Sequence, residues 1–85
     1  MQLSSVKHIE LICDICYYME KFAERLKELR TEKGLTQRQL AQATGLSQTA
    51  ITQWENKLRE PGAGVIIILA RYFEISTDYL LGLED

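Results

Sequence analysis

The sequence predicts an all-α domain. Apolar residues recur at spacings of three and four, Ser or Thr stands at the start of several of these runs, and glycines or the single proline close them. Residues 9–18, rich in β-branched and aromatic side chains, are the one stretch where a strand competes with a helix. At 85 residues the chain is one domain. So short a chain buries a limited fraction of its surface, and every apolar face needs a partner.

Residues 3–18 carry Leu3, Val6, Ile9, Ile12 and Ile15, a spacing that drifts slowly around a helix, with Ser4 or Ser5 as its cap. Residues 20–33 form a clearer helix with Phe22, Ala23, Leu26 and Leu29 as its buried stripe, ended by Gly34. No breaker separates residues 5 and 33, so one long bent helix is also open. Thr36 and Gln39 make a capping box, in which each side chain satisfies a free backbone N–H. The helix they open contains Leu40, Ala41 and Ala43 and stops at Gly45. Ser47 caps the next, which turns Ala50, Ile51 and Trp54 inward and ends at Asn56 and Lys57. Pro61 and Gly62 mark the loop before a helix over about 63–73. Ser76 caps a last short helix with Tyr79, Leu80 and Leu81 inward and Gly82 as its stop.

Composition narrows the function. There is no run of about 18 apolar residues for a membrane span and no secretory signal pattern, so a cytoplasmic location is expected. Cys13 and Cys16, with His8 nearby, fall short of a four-ligand zinc site and read as small packed residues. With one histidine, no phosphate-binding glycine loop and no paired carboxylates in a cleft, an enzyme, a cofactor or a small-molecule substrate is not expected. The net charge is −2, but it is unevenly spread. From Lys33 to Trp54 there are two basic residues, Lys33 and Arg38, and no acid; Lys57 and Arg59 follow. The acids Glu74, Asp78, Glu84 and Asp85 gather in the tail, so one face of an acidic chain can be positive.

Two short helices, about 37–43 and 48–55, joined by Thr44-Gly45-Leu46-Ser47, have the proportions of a helix-turn-helix. Ala41 is small where the second helix crosses the first. Gly45 can take the positive φ of the tight turn. Leu40, Leu46, Ile51 and Trp54 supply the apolar contacts that set the crossing. Gln48, Thr49, Thr52 and Gln53 fall at i, i+1, i+4 and i+5, away from the inward residues. Gln pairs bidentately with adenine, and Thr bonds a base edge or touches a thymine methyl.

The stretch GLTQRQLAQATGLSQTAITQWENKLREP resembles the helix-turn-helix of the Cro and phage-repressor (XRE) family, and the likeness runs from about Phe22 to Gly82 through the ending ARYFEISTDYLLG. The resemblance implies a five-helix, lambda-repressor-like domain (residues 20–85) behind an N-terminal helical extension (residues 1–19). It implies a transcriptional regulator, most simply a repressor, that inserts its third helix into the major groove. Gln48, Thr49, Thr52 and Gln53 would then face bases, and Gln37, Arg38, Ser47, Asn56, Lys57 and Arg59 would contact the DNA backbone. Trp54 reads as core and Glu55 as a brace for backbone or an arginine. The implied partner is a roughly palindromic double-stranded operator bound by a homodimer.

Three departures from the family pattern matter. Lys57 stands where the family usually has Gly: either the backbone is left-handed there and the side chain costs on the order of 1 kcal/mol, or the loop differs. Gly62 and Gly64 weaken the start of the fourth helix. Val65, Ile68 and Tyr72 make a second apolar stripe beside an expected core of Ile66, Ile67, Leu69, Ala70 and Phe73. That stripe is expected to pack against the extension or a second protomer. For residues 1–18 three readings stay open: dimerisation, packing in cis, or a segment upstream of a true start at Met19. The rival function is a protein-interaction or antitoxin-type helix-turn-helix module whose main partner is another protein.

Overall fold

A computed structural model describes the backbone of residues 2–84 and the side chains of residues 17–84. It has five α-helices: α1 (Gln2–Glu32), α2 (Gln37–Thr44), α3 (Gln48–Glu55), α4 (Ala63–Phe73) and α5 (Thr77–Leu80), with no strand among the described residues. The two expected N-terminal helical segments are a single helix. Neither Gly nor Pro interrupts residues 3–33, so nothing breaks the backbone hydrogen-bond ladder. The strand alternative for residues 9–18 is thereby overturned. The readings made for Ser4, Ser5, His8, Cys13, Cys16 and the apolar residues before Tyr17 concern side chains outside the described residues.

The helix ends obey local chemistry. Gly34 (φ 71°) closes α1, with the Leu35 N–H reaching the Arg30 carbonyl at 3.1 Å and the Gly34 N–H reaching Thr31 at 2.9 Å. This paired pattern is the Schellman motif, which needs a left-handed residue. It recurs at Gly82 (φ 81°), but also at Lys57 (φ 63°) and Glu74 (φ 57°), where a side chain bears the left-handed cost. Gly62 caps α4 without any side-chain hydrogen bond, as its lack of a side chain dictates.

All five helices feed one core. Phe22 and Leu26 of α1, Leu40 of α2, Ile51 of α3, Leu69 of α4 and Leu80 of α5 are fully buried. Trp54 is buried beside them, its ring edge-on to Phe22 at 6.2 Å. Its indole N–H has no hydrogen-bond partner.

Helix α4 corrects the expected core. Leu69, Ala70 and Phe73 face inward and Ile66 packs against the core, but Ile67 is 45% exposed. Steps of about 100° per residue carry Ile67 past the edge of the face that Leu69 and Phe73 centre. Of the predicted second stripe, Val65 and Tyr72 are half-buried against the core and Ile68 is 40% exposed.

The C-terminal tail is tied back to α1. Arg25 Nη1 donates to the Tyr79 and Glu84 carbonyls, both at 2.7 Å, and its guanidinium lies 4.0 Å from the Tyr79 ring centre. The Tyr17 hydroxyl donates to the Gly82 carbonyl at 3.3 Å. Among the described residues no helix is long and apolar enough to cross a membrane.

Candidate nucleic-acid interface

The turn between α2 and α3 is built as its residues require. Thr36 Oγ1 accepts from the Gln39 N–H at 3.0 Å, and Gln39 Oε1 accepts from the Thr36 N–H at 2.9 Å, completing the capping box. Gly45 (φ 77°) ends α2 with its N–H on the Ala41 carbonyl at 2.9 Å. Ser47 Oγ then accepts from the Ala50 N–H at 3.2 Å and opens α3. Ala41 and Ala50 are both buried, which allows the two short helices to approach closely, while Leu46 packs against the core from the turn.

A polar network fixes the crossing. Arg30, in the last turn of α1, donates from Nε to Glu55 Oε2 at 2.7 Å and from Nη2 to Glu55 Oε1 at 3.0 Å. Its Nη1 donates to the Leu35 carbonyl at 2.7 Å. Gln37 Nε2 donates to Glu55 Oε1 at 2.9 Å, and Thr52 Oγ1 donates to Gln37 Oε1 at 2.6 Å. Three helices are therefore joined by Arg30, Glu55, Gln37 and Thr52. Glu55 is the only acid of α3, and its side chain is 3% exposed. The one negative charge on this helix is thus withdrawn from its surface and neutralised.

The predicted base-facing residues share one side of α3 but differ in exposure. Gln48 and Thr49, in the first turn, are exposed, whereas Thr52 and Gln53 are half-buried. Around them Arg38, Ser47, Asn56, Lys57 and Arg59 are all exposed, and Gln37 is half-buried with its amide engaged. Sequence reasoning gave Glu55 a bracing role without naming Arg30, and it missed the Gln37–Thr52 bond. A basic residue ending the first helix was the available signal for Arg30; nothing in residue spacing marks the Gln37 link. Among the described residues no group of three His, Cys, Asp or Glu side chains is placed to hold a metal ion.

Comparison with known proteins identifies the family. The helix-turn-helix family model matches residues 26–80. The chain is 36% identical over 64 residues to the uncharacterized HTH-type transcriptional regulator YobD of Bacillus subtilis, covering 75% of this chain and 57% of that one. It is 38% identical over 65 residues to the HTH-type transcriptional activator BcrR of Enterococcus faecalis, covering 76% of this chain and 32% of that one. The chain therefore spans about half or less of the length of these relatives. Among solved structures, the restriction-modification controller protein C.AhdI of Aeromonas hydrophila matches with a TM-score of 0.67 and 37% identity, over 73% of this chain and 94% of that one.

Proposed function

The chain belongs to the helix-turn-helix family of DNA-binding transcription regulators, and on that premise we propose that it acts by laying α3 in the major groove of a specific operator. Its role is binding rather than catalysis, exerted in the cytoplasm on the chromosome or on a phage genome. The acid-free outer side of α3, with Glu55 sequestered by Arg30, supports this most directly. A carboxylate on that side would meet phosphates; the polar side chains there offer hydrogen bonds without repulsion.

In this arrangement Gln48, Thr49, Thr52 and Gln53 read bases. Arg38, Asn56, Lys57 and Arg59 lie at the margins and set register on the phosphates, and Ser47 keeps its hydroxyl proton available for the same purpose. Gln37 contributes through the first-turn N–H groups of α2, which lack intrahelical acceptors, rather than through its engaged amide.

Two protomers would present their α3 helices about 34 Å apart, one turn of DNA, to a roughly palindromic site. Exposed Ile67 and Ile68 on α4, flanked by the half-buried Val65 and Tyr72, form the face assigned to the second protomer. A groove of about 300 Å³ lies nearby, between Tyr18, Met19 and Phe22 of α1, Pro61, Ile66 of α4 and Leu83 of the tail. Repression by occluding polymerase is the simplest output of such a complex.

Selection of bound duplexes from random DNA, followed by binding at rising salt, tests the function. Enrichment of a dyad-symmetric sequence with salt-sensitive affinity is expected. Failure to enrich any sequence would instead favour the protein-partner role. Ile68→Lys should convert a light-scattering dimer to monomer; an intact dimer would place the contact elsewhere.

A further inference from the structure

We propose that Thr52 is a specificity-determining residue that reads its base as a hydrogen-bond acceptor only, a role that presupposes the DNA contact proposed above. The reason lies in the proton inventory of the network beneath it. Arginine can only donate, so Arg30 fixes both Glu55 oxygens as acceptors. Glu55 Oε1 also faces the Gln37 side-chain amide at 2.9 Å. Only the NH₂ end of that amide can meet a carboxylate oxygen. The opposite orientation would set two acceptors against each other beside a group 3% exposed.

With Nε2 committed to Glu55, Gln37 turns its carbonyl oxygen, also a pure acceptor, toward Thr52. The separation is 2.6 Å, so the Thr52 hydroxyl must supply the proton. Threonine has one hydroxyl proton and two lone pairs. Once the proton is given to Gln37, Thr52 has only lone pairs to offer the polar edge of a base. A hydroxyl is ordinarily the least selective reader of base edges, because it rotates to donate or accept. Here a carboxylate on the same helix, acting through a glutamine on the neighbouring helix, removes that freedom.

The consequence for recognition is specific. In the major groove adenine N6 and cytosine N4 are donors, whereas guanine N7 and O6 and thymine O4 are acceptors. Thr52 therefore favours an amino base, adenine or cytosine, on the strand it faces and disfavours a keto base there. Gln37 becomes a positioning residue: it touches no base through its amide, yet it sets what Thr52 can read.

The test uses the full-length chain and a duplex library randomised over about two helical turns. Selection is run in parallel on wild type, Thr52→Val and Gln37→Ala. Wild type should prefer amino over keto bases about tenfold at one position of each half-site, the size of one neutral hydrogen bond. Thr52→Val, which keeps the shape but has no lone pair, should abolish that preference. Gln37→Ala, which leaves Thr52 untouched but frees its proton, should admit guanine and thymine at the same position and leave the rest of the site unchanged. Gln37→Met, which keeps the stem without the amide, gives the same readout if the alanine variant melts early. A position that responds to Thr52→Val but not to either Gln37 change would overturn the proposal. So would a wild-type site with guanine or thymine there, or a Thr52→Val profile identical to wild type. In each of those cases DNA binding itself stands. Only a wild type that enriches nothing would overturn the DNA-binding reading as well.

Discussion

Arg30 and Glu55 are joined by two hydrogen bonds, Nε to Oε2 at 2.7 Å and Nη2 to Oε1 at 3.0 Å, between the end of α1 and the end of α3. Their side chains are 12% and 3% exposed, so the pair is largely removed from water. Removing one partner strands a buried charge. Arg30→Met should therefore lower the unfolding free energy by about 3–5 kcal/mol, a large fraction of what a small domain possesses. The double variant Arg30→Met/Glu55→Met should recover much of that loss, because both charges are then gone. Urea denaturation of the two proteins checks the ordering; equal losses in both would mean that packing at Arg30, not charge, dominates.

Gln48, exposed in the first turn of α3, and Gln53, half-buried one turn on, make a second prediction. Gln48→Ala and Gln53→Ala should each weaken binding to the selected operator by about 1–3 kcal/mol. Binding to a scrambled duplex should change much less. Fluorescence anisotropy on the two duplexes measures the difference. An unchanged ratio for both variants would show that this side of α3 does not read bases.

Arg38 lies at the second position of α2 and is exposed. Arg38→Ala should weaken binding to operator and scrambled DNA alike. The slope of log affinity against log salt should flatten by about one unit, as expected for one lost phosphate contact. Titrations at several salt concentrations supply the slope, and an unaltered slope would leave Arg38 as a solvated charge.

Lys57 joins stability to affinity in opposite directions. Its φ of 63° is one that side chains adopt at a cost, and it is an exposed residue for which a phosphate contact is proposed. Lys57→Gly should raise the unfolding free energy by about 1 kcal/mol, the left-handed penalty less the entropy of a new glycine. It should simultaneously weaken DNA binding. Thermal melting and anisotropy on one protein sample separate the two effects; a stabilised protein with undiminished affinity would remove Lys57 from the interface.

Much of this molecule could be read from its residues because local chemistry dictates it. The Thr36–Gln39 capping box, the Ser47 and Ser76 caps and the turns at Gly34, Gly45 and Gly82 each need only a few neighbouring residues to be specified. The inward stripe of Phe22, Leu26, Leu40, Ile51 and Trp54 follows from helical period. What stayed illegible depends on the angle at which elements meet. Ile67 looks as apolar as Ile66, and only the packing of α4 decides that one is covered and the other exposed. Glu74 ends α4 in a left-handed conformation that its sequence does not advertise, because the chain must turn there to bring Leu80 into the core. The hydrogen bonds linking Gln37 to Thr52 and Glu55 arise from three helices converging, a relation that no spacing within one helix encodes.

The most direct measurement of the central claim is an amide chemical-shift titration of the labelled chain with its selected duplex. The largest changes should fall on Ser47 through Gln53, with smaller ones at Gln37, Arg38 and Asn56 through Arg59, while the core around Phe22 and Leu69 stays in place. Changes confined to α4 and the groove beside Tyr18, with Gln48 through Gln53 unmoved, would contradict it.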